Sequence, residues 1–162
     1  MSNHFTLSSS AFKEEAAIPA DYTCDGGNEN PALSWQNPPA GTQSFALICD
    51  DPDAPREKPF VHWVIYNIPK HMASLPSGIS TTEKLEVGSS LVLQGVNDAQ
   101  RTGYYGPCPP SGTHRYFFNL YALDQMLDLA PAATVDQLRA AMQEHIIGTA
   151  TLMGRYQRTK GS

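Results

Sequence analysis

The sequence lacks several features that would assign it to a well-marked class. It contains no run of basic residues and its formal net charge is −5, so nucleic acid or an anionic membrane surface is not expected as its main partner. No apolar run approaches the roughly 18 residues of a membrane-spanning helix, and the first residues lack the basic and apolar regions of a signal peptide. We therefore expect a cytoplasmic protein without integral membrane association.

Motifs for catalysis and metal binding are equally scarce. The sequence has no G-x-S-x-G, H-x-H or H-x-x-x-H spacing, which argues against a serine hydrolase and against a local metal site. The three cysteines, Cys24, Cys49 and Cys108, form no C-x-x-C pair, so we expect reduced thiols and no structural zinc. No catalytic residue, metal or cofactor is predicted, and we expect a protein that is not an enzyme.

What the chain has in abundance is turn-forming residues. Thirteen prolines and twelve glycines among 162 residues favour many turns and short strands over long helices. The hydrophobic fraction of 41% and the charged fraction of 17% are typical of a globular protein. Residues 1–162 are therefore expected to form one mainly β domain around a single core.

The hydrophobic pattern predicts the positions of strands and of one helix. The helix is predicted over 134–147, where Thr134 and Gln137 form a capping box and Gly148 is placed to end it. Its predicted apolar stripe includes Ile146. The predicted strands lie at 32–35, 44–50, 60–68, 91–96, 115–123 and 149–157, and residues 4–12 form either a first strand or an extended arm. Together these elements predict a β-sandwich with a few peripheral short helices.

A histidine interrupts the strongest of these strand patterns. His62 shares the even-numbered face of residues 60–68 with Phe60, Val64 and Tyr66. A polar ring among apolar side chains needs a hydrogen-bond partner or a cavity. His62 is therefore either a hydrogen-bonded core histidine or a residue that lines a pocket.

Two loops at strand ends carry further polar groups. Asp51 and Asp53 follow the strand at 44–50, where turn capping is an alternative role for both. His114 and Tyr116 alternate onto one face of the strand at 115–123, while Arg115 projects to the other and is left out of the site. Histidines beside aspartates favour the imidazolium form. The set could therefore bind a phosphate, sulfate or carboxylate; a general base at His62 or His114 is the enzymatic alternative.

Several stretches identify the chain with a known family. They are residues 28–35 (NENPALSW), 51–55 (DPDAP), His62-Trp63 with Asn67, 94–102 (QGVNDAQRT), 106–116 (GPCPPSGTHRY) and 152–156 (LMGRY). In this order they resemble the phosphatidylethanolamine-binding protein family, also called Raf kinase inhibitor proteins, and its short bacterial and archaeal branch. The segment between DPDAP and His62 is shorter than in eukaryotic members, so their lipid and kinase regulation is not carried over.

The resemblance implies a fold, a ligand class and a set of contacts. It implies a Greek-key sandwich of two antiparallel sheets, cis peptide bonds at Pro52 and Pro55 as candidates, and a homodimer. It also implies a non-catalytic protein that binds phosphate or a phosphorylated head group such as phosphoethanolamine, with regulation of a kinase or protease through the pocket rim as the alternative. The implied ligand-binding residues are Asp51, Asp53, His62, Gly106, Pro109, Pro110, His114 and Tyr116.

Overall fold

The computed structural model describes residues 4–87 and 89–158. Within those ranges short strands alternate with long connections, as the many turn residues predict. The strands are β1 (Thr6–Ser8), β2 (Leu33–Gln36), β3 (Ser44–Asp51), β4 (Phe60–Pro69), β5 (Ser74–Leu75), β6 (Lys84–Val87), β7 (Ser90–Gln94), β8 (His114–Leu123) and β9 (Ile146–Tyr156). A 3-10 helix covers Ala20–Tyr22, and one α-helix, α1, covers Val135–Met142.

The strands form two antiparallel sheets, which confirms the predicted fold class. The smaller sheet has the order β1-β2-β5, and the larger has the order β6-β7-β4-β3-β8-β9. Strand β3 lies at the centre of the larger sheet, paired with β4 on one side and with β8 on the other. The end of β3 and the start of β8 therefore meet at the same edge of the molecule.

A first hydrophobic core fills the space between the two sheets. From the larger sheet, Phe45, Trp63 and Phe118 are fully buried, and from the smaller sheet Leu33 and Trp35 pack against them. These side chains alternate along their strands with residues of the opposite face, as strand geometry requires. Buried aromatic rings dominate this core, so it supplies most of the apolar area that holds the two sheets together.

A second core covers the other face of the larger sheet. Leu138 and Met142 of α1 pack there against Ile48 and Val64. The predicted capping box begins the helix: Thr134 Oγ1 accepts the Gln137 N–H at 3.1 Å. The second bond of the box runs from the Thr134 N–H to Gln137 Oε1, at 2.9 Å. This start of α1 is confirmed.

The predicted end of the helix is wrong. Helix α1 ends at Met142, because the chain turns sharply at Glu144, whose φ is 72°, and the His145 N–H bonds to the Met142 carbonyl at 2.8 Å. Ile146 then begins β9 and is 44% exposed. Gly148 is a strand residue: a Cβ there would lie 2.5 Å from Pro39 Cγ.

The expected reduced state of all three thiols is also wrong. Cys24 and Cys108 form a disulfide across a sequence separation of 84 residues, and Cys49 is the buried free thiol. The pairing joins two loops that come together only in the folded chain, so short-range spacing gives no sign of it.

Two further findings concern the backbone. The described residues contain no cis peptide bond, so the two candidate positions, Pro52 and Pro55, are trans. Trans is the intrinsically favoured form of a bond before proline. None of the described helices is long and apolar enough to span a membrane.

Candidate functional site

A cavity of about 210 Å³ opens at the edge where β3, β4 and β8 meet the loop at 97–113. Polar side chains from the strands form one side of it, and proline-rich loop residues form the other. The lining residues are Asp51, Ala54, Pro55, Phe60, His62, Tyr105, Cys108, Pro109, Pro110, His114 and Tyr116. Six of the eight residues proposed from the sequence therefore lie around one cavity.

The pairing of β3 with β8 brings an aspartate and a histidine together. Asp50 lies opposite Phe117 in this ladder, so Asp51 and His114 fall at its very end. His114 Nδ1 lies 2.6 Å from Asp51 Oδ2, and both side chains are buried. The other carboxylate oxygen of Asp51 accepts the Asp53 N–H at 2.7 Å. Both oxygens of this buried carboxylate are thus hydrogen-bonded.

A β-bulge places His62 in the site. Along β3, Cys49 and Asp50 are adjacent, but their partners on β4 are Trp63 and Val61. His62 is therefore the extra residue of the bulge, without a partner of its own on β3. A bulge of this kind bends the strand and redirects a side chain.

The bulge overturns the predicted face of His62. Val64 and Tyr66 belong to the core beneath α1, whereas the His62 ring contacts Tyr116, which belongs to the core between the sheets. The sequence expectation assumed an unbroken period of two. One extra residue shifts that period, so His62 faces the cavity together with Phe60 and is separated from Val64 and Tyr66.

The surroundings of His62 favour its neutral form. Its Nδ1 lies 2.5 Å from the Tyr105 carbonyl oxygen, and its ring stacks on the Tyr105 ring at 5.8 Å. Burial lowers the pKa of His62, and this outweighs the opposite effects of the Tyr105 carbonyl and of Asp51. The neighbouring aspartates act in the expected direction and raise the pKa, but burial outweighs them at this histidine.

The Tyr116 hydroxyl is a buried polar group that lacks a partner. It forms no hydrogen bond with any residue in the described ranges, although the side chain is only 1% exposed. Burial raises the pKa of this phenol far above its usual value, and the charge of Asp51 adds to the effect. The hydroxyl therefore stays protonated and offers an unused O–H donor at the cavity.

Asp53, although proposed from the sequence, does not line the cavity. Its carboxylate takes two bonds from the Arg115 guanidinium, at 2.9 and 2.8 Å, which lower the pKa of Asp53 to about 2. Arg115 does not line the cavity either, in agreement with its predicted direction. This ion pair instead fastens the DPDAP loop to β8.

Gly106 is the other proposed residue that lies outside the lining. Its N–H donates to Asn28 Oδ1 at 2.7 Å, and a Cβ at this position would come within 2.4 Å of the Tyr22 carbonyl oxygen. Gly106 therefore permits a close approach of two loops behind the cavity wall. Gly106 thus helps to set the position of the loop wall and does not itself line the cavity.

Sequence reasoning missed five lining residues: Ala54, Pro55, Phe60, Tyr105 and Cys108. Phe60 could have been found, because it lies two positions before His62 on β4 and its ring packs 4.9 Å from the imidazole. Tyr105 acts through its backbone carbonyl as well as its ring. A carbonyl is common to all residues, so no residue pattern indicates this role.

The loop wall is fastened to the segment at residues 20–30. The Cys24–Cys108 disulfide is the covalent link. Near it, the Cys24 N–H donates to the Pro107 carbonyl at 3.1 Å, and the Tyr104 hydroxyl donates to the Tyr22 carbonyl at 2.7 Å. The segment at residues 20–30, whose last three residues begin the NENPALSW motif, thus holds the cavity wall in position from outside.

No cluster of three or more histidine, cysteine, aspartate or glutamate side chains suited to a metal ion occurs in the part of the chain that the structure describes. The cavity instead combines the His62 and His114 imidazoles and the Tyr116 phenol with the buried carboxylate of Asp51. Such a set can orient a small polar ligand through hydrogen bonds.

The chain is similar in sequence to known proteins over most of its length. The sequence profile described as "Phosphatidylethanolamine-binding protein" matches residues 8–157. A protein of Methanothermobacter thermautotrophicus named UPF0098 protein is 50% identical over 152 residues, which cover 94% of this chain and 98% of that one. An Aquifex aeolicus protein of the same name is 42% identical, covering 93% and 86%.

Solved structures agree with the sequence relatives. A Chlamydia trachomatis phosphatidylethanolamine-binding protein homolog superposes with a TM-score of 0.87 at 39% identity, covering 97% of this chain and 99% of its own. E. coli YbcL, described as a member of the mammalian family of that name, also gives a TM-score of 0.87, at 30% identity, covering 97% and 100%. The similarity therefore extends over nearly the whole fold.

Proposed function

The chain belongs to the phosphatidylethanolamine-binding protein family, and on this premise we propose that it is a non-catalytic protein that binds a small phosphate-bearing anion in the cavity. Membership places it in a class of ligand-binding and regulatory proteins. The finer assignment, a phosphate or a phosphorylated head group such as phosphoethanolamine, is supported by the chemistry of the lining residues.

The Tyr116 hydroxyl is the observation that carries this proposal. A buried polar group left without a partner costs about 1–3 kcal/mol, and this hydroxyl, on a residue that lines the cavity, makes no hydrogen bond in the described ranges. The neighbouring acceptor is the Asp51 carboxylate, and both of its oxygens are already engaged by other groups. A phosphate oxygen would supply the missing acceptor. Hydrogen bonds to a charged acceptor are stronger than neutral ones, so the donor that is unused in the free protein favours an anion.

The size of the cavity supports a small ligand. A volume of about 210 Å³ is below the roughly 300–1,000 Å³ of pockets that hold drug-sized molecules. An inorganic anion or the phosphorylated end of a larger molecule suits this space. The prolines at 109 and 110 fix the backbone of one wall, so the cavity exists before the ligand binds.

The Asp51 carboxylate is compatible with an anionic ligand because both of its oxygens are hydrogen-bonded within the protein. One oxygen faces the His114 Nδ1 and the other accepts the Asp53 N–H. With both oxygens engaged, the role of Asp51 is to orient His114. The ligand then meets the His114 ring edge opposite Nδ1 instead of the carboxylate itself.

Calorimetric titration with inorganic phosphate tests the proposal, with Tyr116→Phe as the variant. We expect the wild-type protein to bind and the variant to bind roughly tenfold more weakly, because one hydrogen bond to a charged group is lost. Thermal unfolding of the free variant should show equal or slightly higher stability, since an unpartnered hydroxyl is removed.

Tyr121→Phe is the matched control. Tyr121 lies on the same strand but on the opposite face, against the core beneath α1. It should lose no phosphate affinity. Absence of phosphate binding to the wild type at millimolar concentration, or equal binding by Tyr116→Phe, would refute the proposal.

A further inference from the structure

Both histidines at the cavity use the same ring nitrogen, Nδ1, for a hydrogen bond within the protein. His62 Nδ1 faces the Tyr105 carbonyl oxygen at 2.5 Å, and His114 Nδ1 faces the Asp51 carboxylate at 2.6 Å. A carbonyl and a carboxylate only accept hydrogen bonds, so each Nδ1 must carry its hydrogen. The remaining nitrogen, Nε2, is then a bare acceptor in either ring whenever that ring is neutral.

Geometry therefore defines the two tautomers. Neither Nε2 is hydrogen-bonded to any residue in the described ranges, and both rings line the cavity. A ligand that enters meets the Tyr116 O–H as a donor and the His62 Nε2 as an acceptor. A fully deprotonated anion can use the first group, but it has no hydrogen to offer the second.

Polar and charged groups from three elements face His62, and burial has the largest effect on its pKa. Desolvation of the 4%-exposed side chain lowers the pKa of His62, and the neighbouring His114 lowers it further. The Tyr105 carbonyl and two carboxylates raise it by less. The facing polar and charged groups are Asp51 on β3, Asp98 and Tyr105 in the loop at 97–113, and His114 and Tyr116 on β8.

We propose that the cavity selects phosphate species that carry their own proton, with His62 Nε2 accepting the ligand P–OH and the Tyr116 O–H donating to another ligand oxygen. The inference rests on the proposed function and adds to it the protonation state of the ligand. The favoured class is inorganic phosphate, which carries a P–OH as either the monoanion or the dianion, together with the monoanions of phosphate monoesters. Sulfate and phosphate diesters, which lack an exchangeable proton at neutral pH, are disfavoured.

The proton balance follows from this arrangement. A ligand with a P–OH binds neutral His62 without net proton exchange, since its hydrogen is only shared with Nε2. Sulfate binds well only after the solvent has supplied one proton to Nε2. Sulfate binding should therefore take up about one proton per anion, and its affinity should fall about tenfold for each pH unit above the His62 pKa.

Calorimetry with three probes at about pH 6.5, where an ordinary histidine is half protonated, tests the inference. Inorganic phosphate should bind at least roughly tenfold more tightly than sulfate. Dimethyl phosphate carries one negative charge but no P–OH, so it should bind as weakly as sulfate, which separates the effect of the proton from that of charge. Titrations in two buffers with different ionisation enthalpies should show proton uptake with sulfate and little with phosphate.

His62→Phe removes the acceptor and should reduce the preference for phosphate over sulfate to within about twofold. His71→Gln, at an exposed histidine, is the control and should retain the preference. Equal affinities and equal proton uptake for phosphate and sulfate in the wild type would overturn the inference while leaving the proposed function intact. So would an undiminished preference in a folded His62→Phe protein. If none of the anions binds, the proposed function itself fails.

Discussion

The two walls of the cavity are built in different ways. The wall that carries Asp51, His62, His114 and Tyr116 consists of strands at the centre of a six-stranded sheet, and backbone pairing on both sides of β3 holds it. The facing wall is the loop at 97–113, which contains no strand and one isolated bridge, between Val96 and Thr102. The chemically active groups thus lie on the rigid sheet, whereas the shape of the cavity depends on a loop.

The loop wall compensates for its lack of backbone pairing with contacts to a distant part of the chain. A disulfide and hydrogen bonds from Gly106 and Tyr104 attach it to residues 20–30. The comparison indicates that disturbing the sheet wall should affect ligand chemistry, while disturbing these attachments should affect the width of the cavity.

Removal of the disulfide should have the largest effect. Cys24→Ser combined with Cys108→Ser frees a link that spans 84 residues, and the free energy of unfolding should fall by about 2–4 kcal/mol because the unfolded chain gains conformational freedom. Phosphate affinity should fall too, since the loop wall loses its covalent attachment. Urea unfolding and calorimetry measure the two effects.

Cys49→Ala provides the contrast for the disulfide variant. Cys49 is buried in the core between the sheets, so its replacement lowers stability without releasing the loop. Phosphate affinity should stay unchanged. A double-serine variant that binds phosphate as the wild type does would show that the sheet wall alone defines the cavity.

Loss of a single loop attachment should have a smaller effect. Asn28→Gly removes the acceptor for the Gly106 N–H and accommodates the φ of 56° at this position without strain. We expect a loss of about 1 kcal/mol in the free energy of unfolding and a measurable loss of phosphate affinity. Asn37→Gly makes the same change at a φ of 59°, away from the cavity, and should leave affinity intact; equal affinities for both variants would contradict the attachment role.

On the sheet wall, His62 should make the free energy of unfolding depend on pH. The pKa of His62 is lower in the folded protein than in the unfolded chain. The unfolded chain therefore binds more protons as pH falls below about 6.5, and the folded state loses stability in that window. His62→Phe should lack this component in denaturant unfolding followed between about pH 7.5 and pH 5.5. His71→Gln should keep it, and an unchanged slope in His62→Phe would refute the assignment.

The smallest effect is expected where the DPDAP loop meets β8. The pKa of Asp53 is lowered from 3.8 to about 2 by Arg115, so the pair stabilises the fold above about pH 4 and this contribution is lost as pH falls through about 2. Asp53→Asn should be less stable than the wild type at neutral pH, and the two should converge in strong acid. Acid titration of ellipticity measures this, with exposed Asp128→Asn as the control; a constant difference at all pH values would exclude the ion pair as its cause.

The parts of the site that follow simple periodicity could be predicted from the sequence. Strand alternation correctly gave His114 and Tyr116 one direction and Arg115 the other, because β8 pairs with β9 without a register shift from His114 to Ala122. The start of α1 was equally predictable, since the Thr134 capping box is a local interaction. The β-sandwich followed from strand patterns and family resemblance together.

The rest depended on interactions that sequence periodicity does not record. The bulge at His62 adds one residue to β4 relative to β3, and neither strand carries a local signal for it. The disulfide joins loops 84 residues apart. Ile146 fits a helical stripe as well as a strand, and the backbone turn at Glu144 decides between them.

The bulge on β4 also makes the site sensitive to the number of residues and not only to their kind. We expect a single deletion between Phe60 and Trp63 to remove the register shift opposite Cys49 and Asp50 and to leave the sandwich with its two cores. It would at the same time remove the one position from which an imidazole reaches Tyr105 and Tyr116. In related chains, therefore, ligand binding can be lost through a one-residue change in length that preserves the fold. A sequence alignment that closes this one-residue gap would not distinguish a chain without the bulge from a chain that binds the ligand.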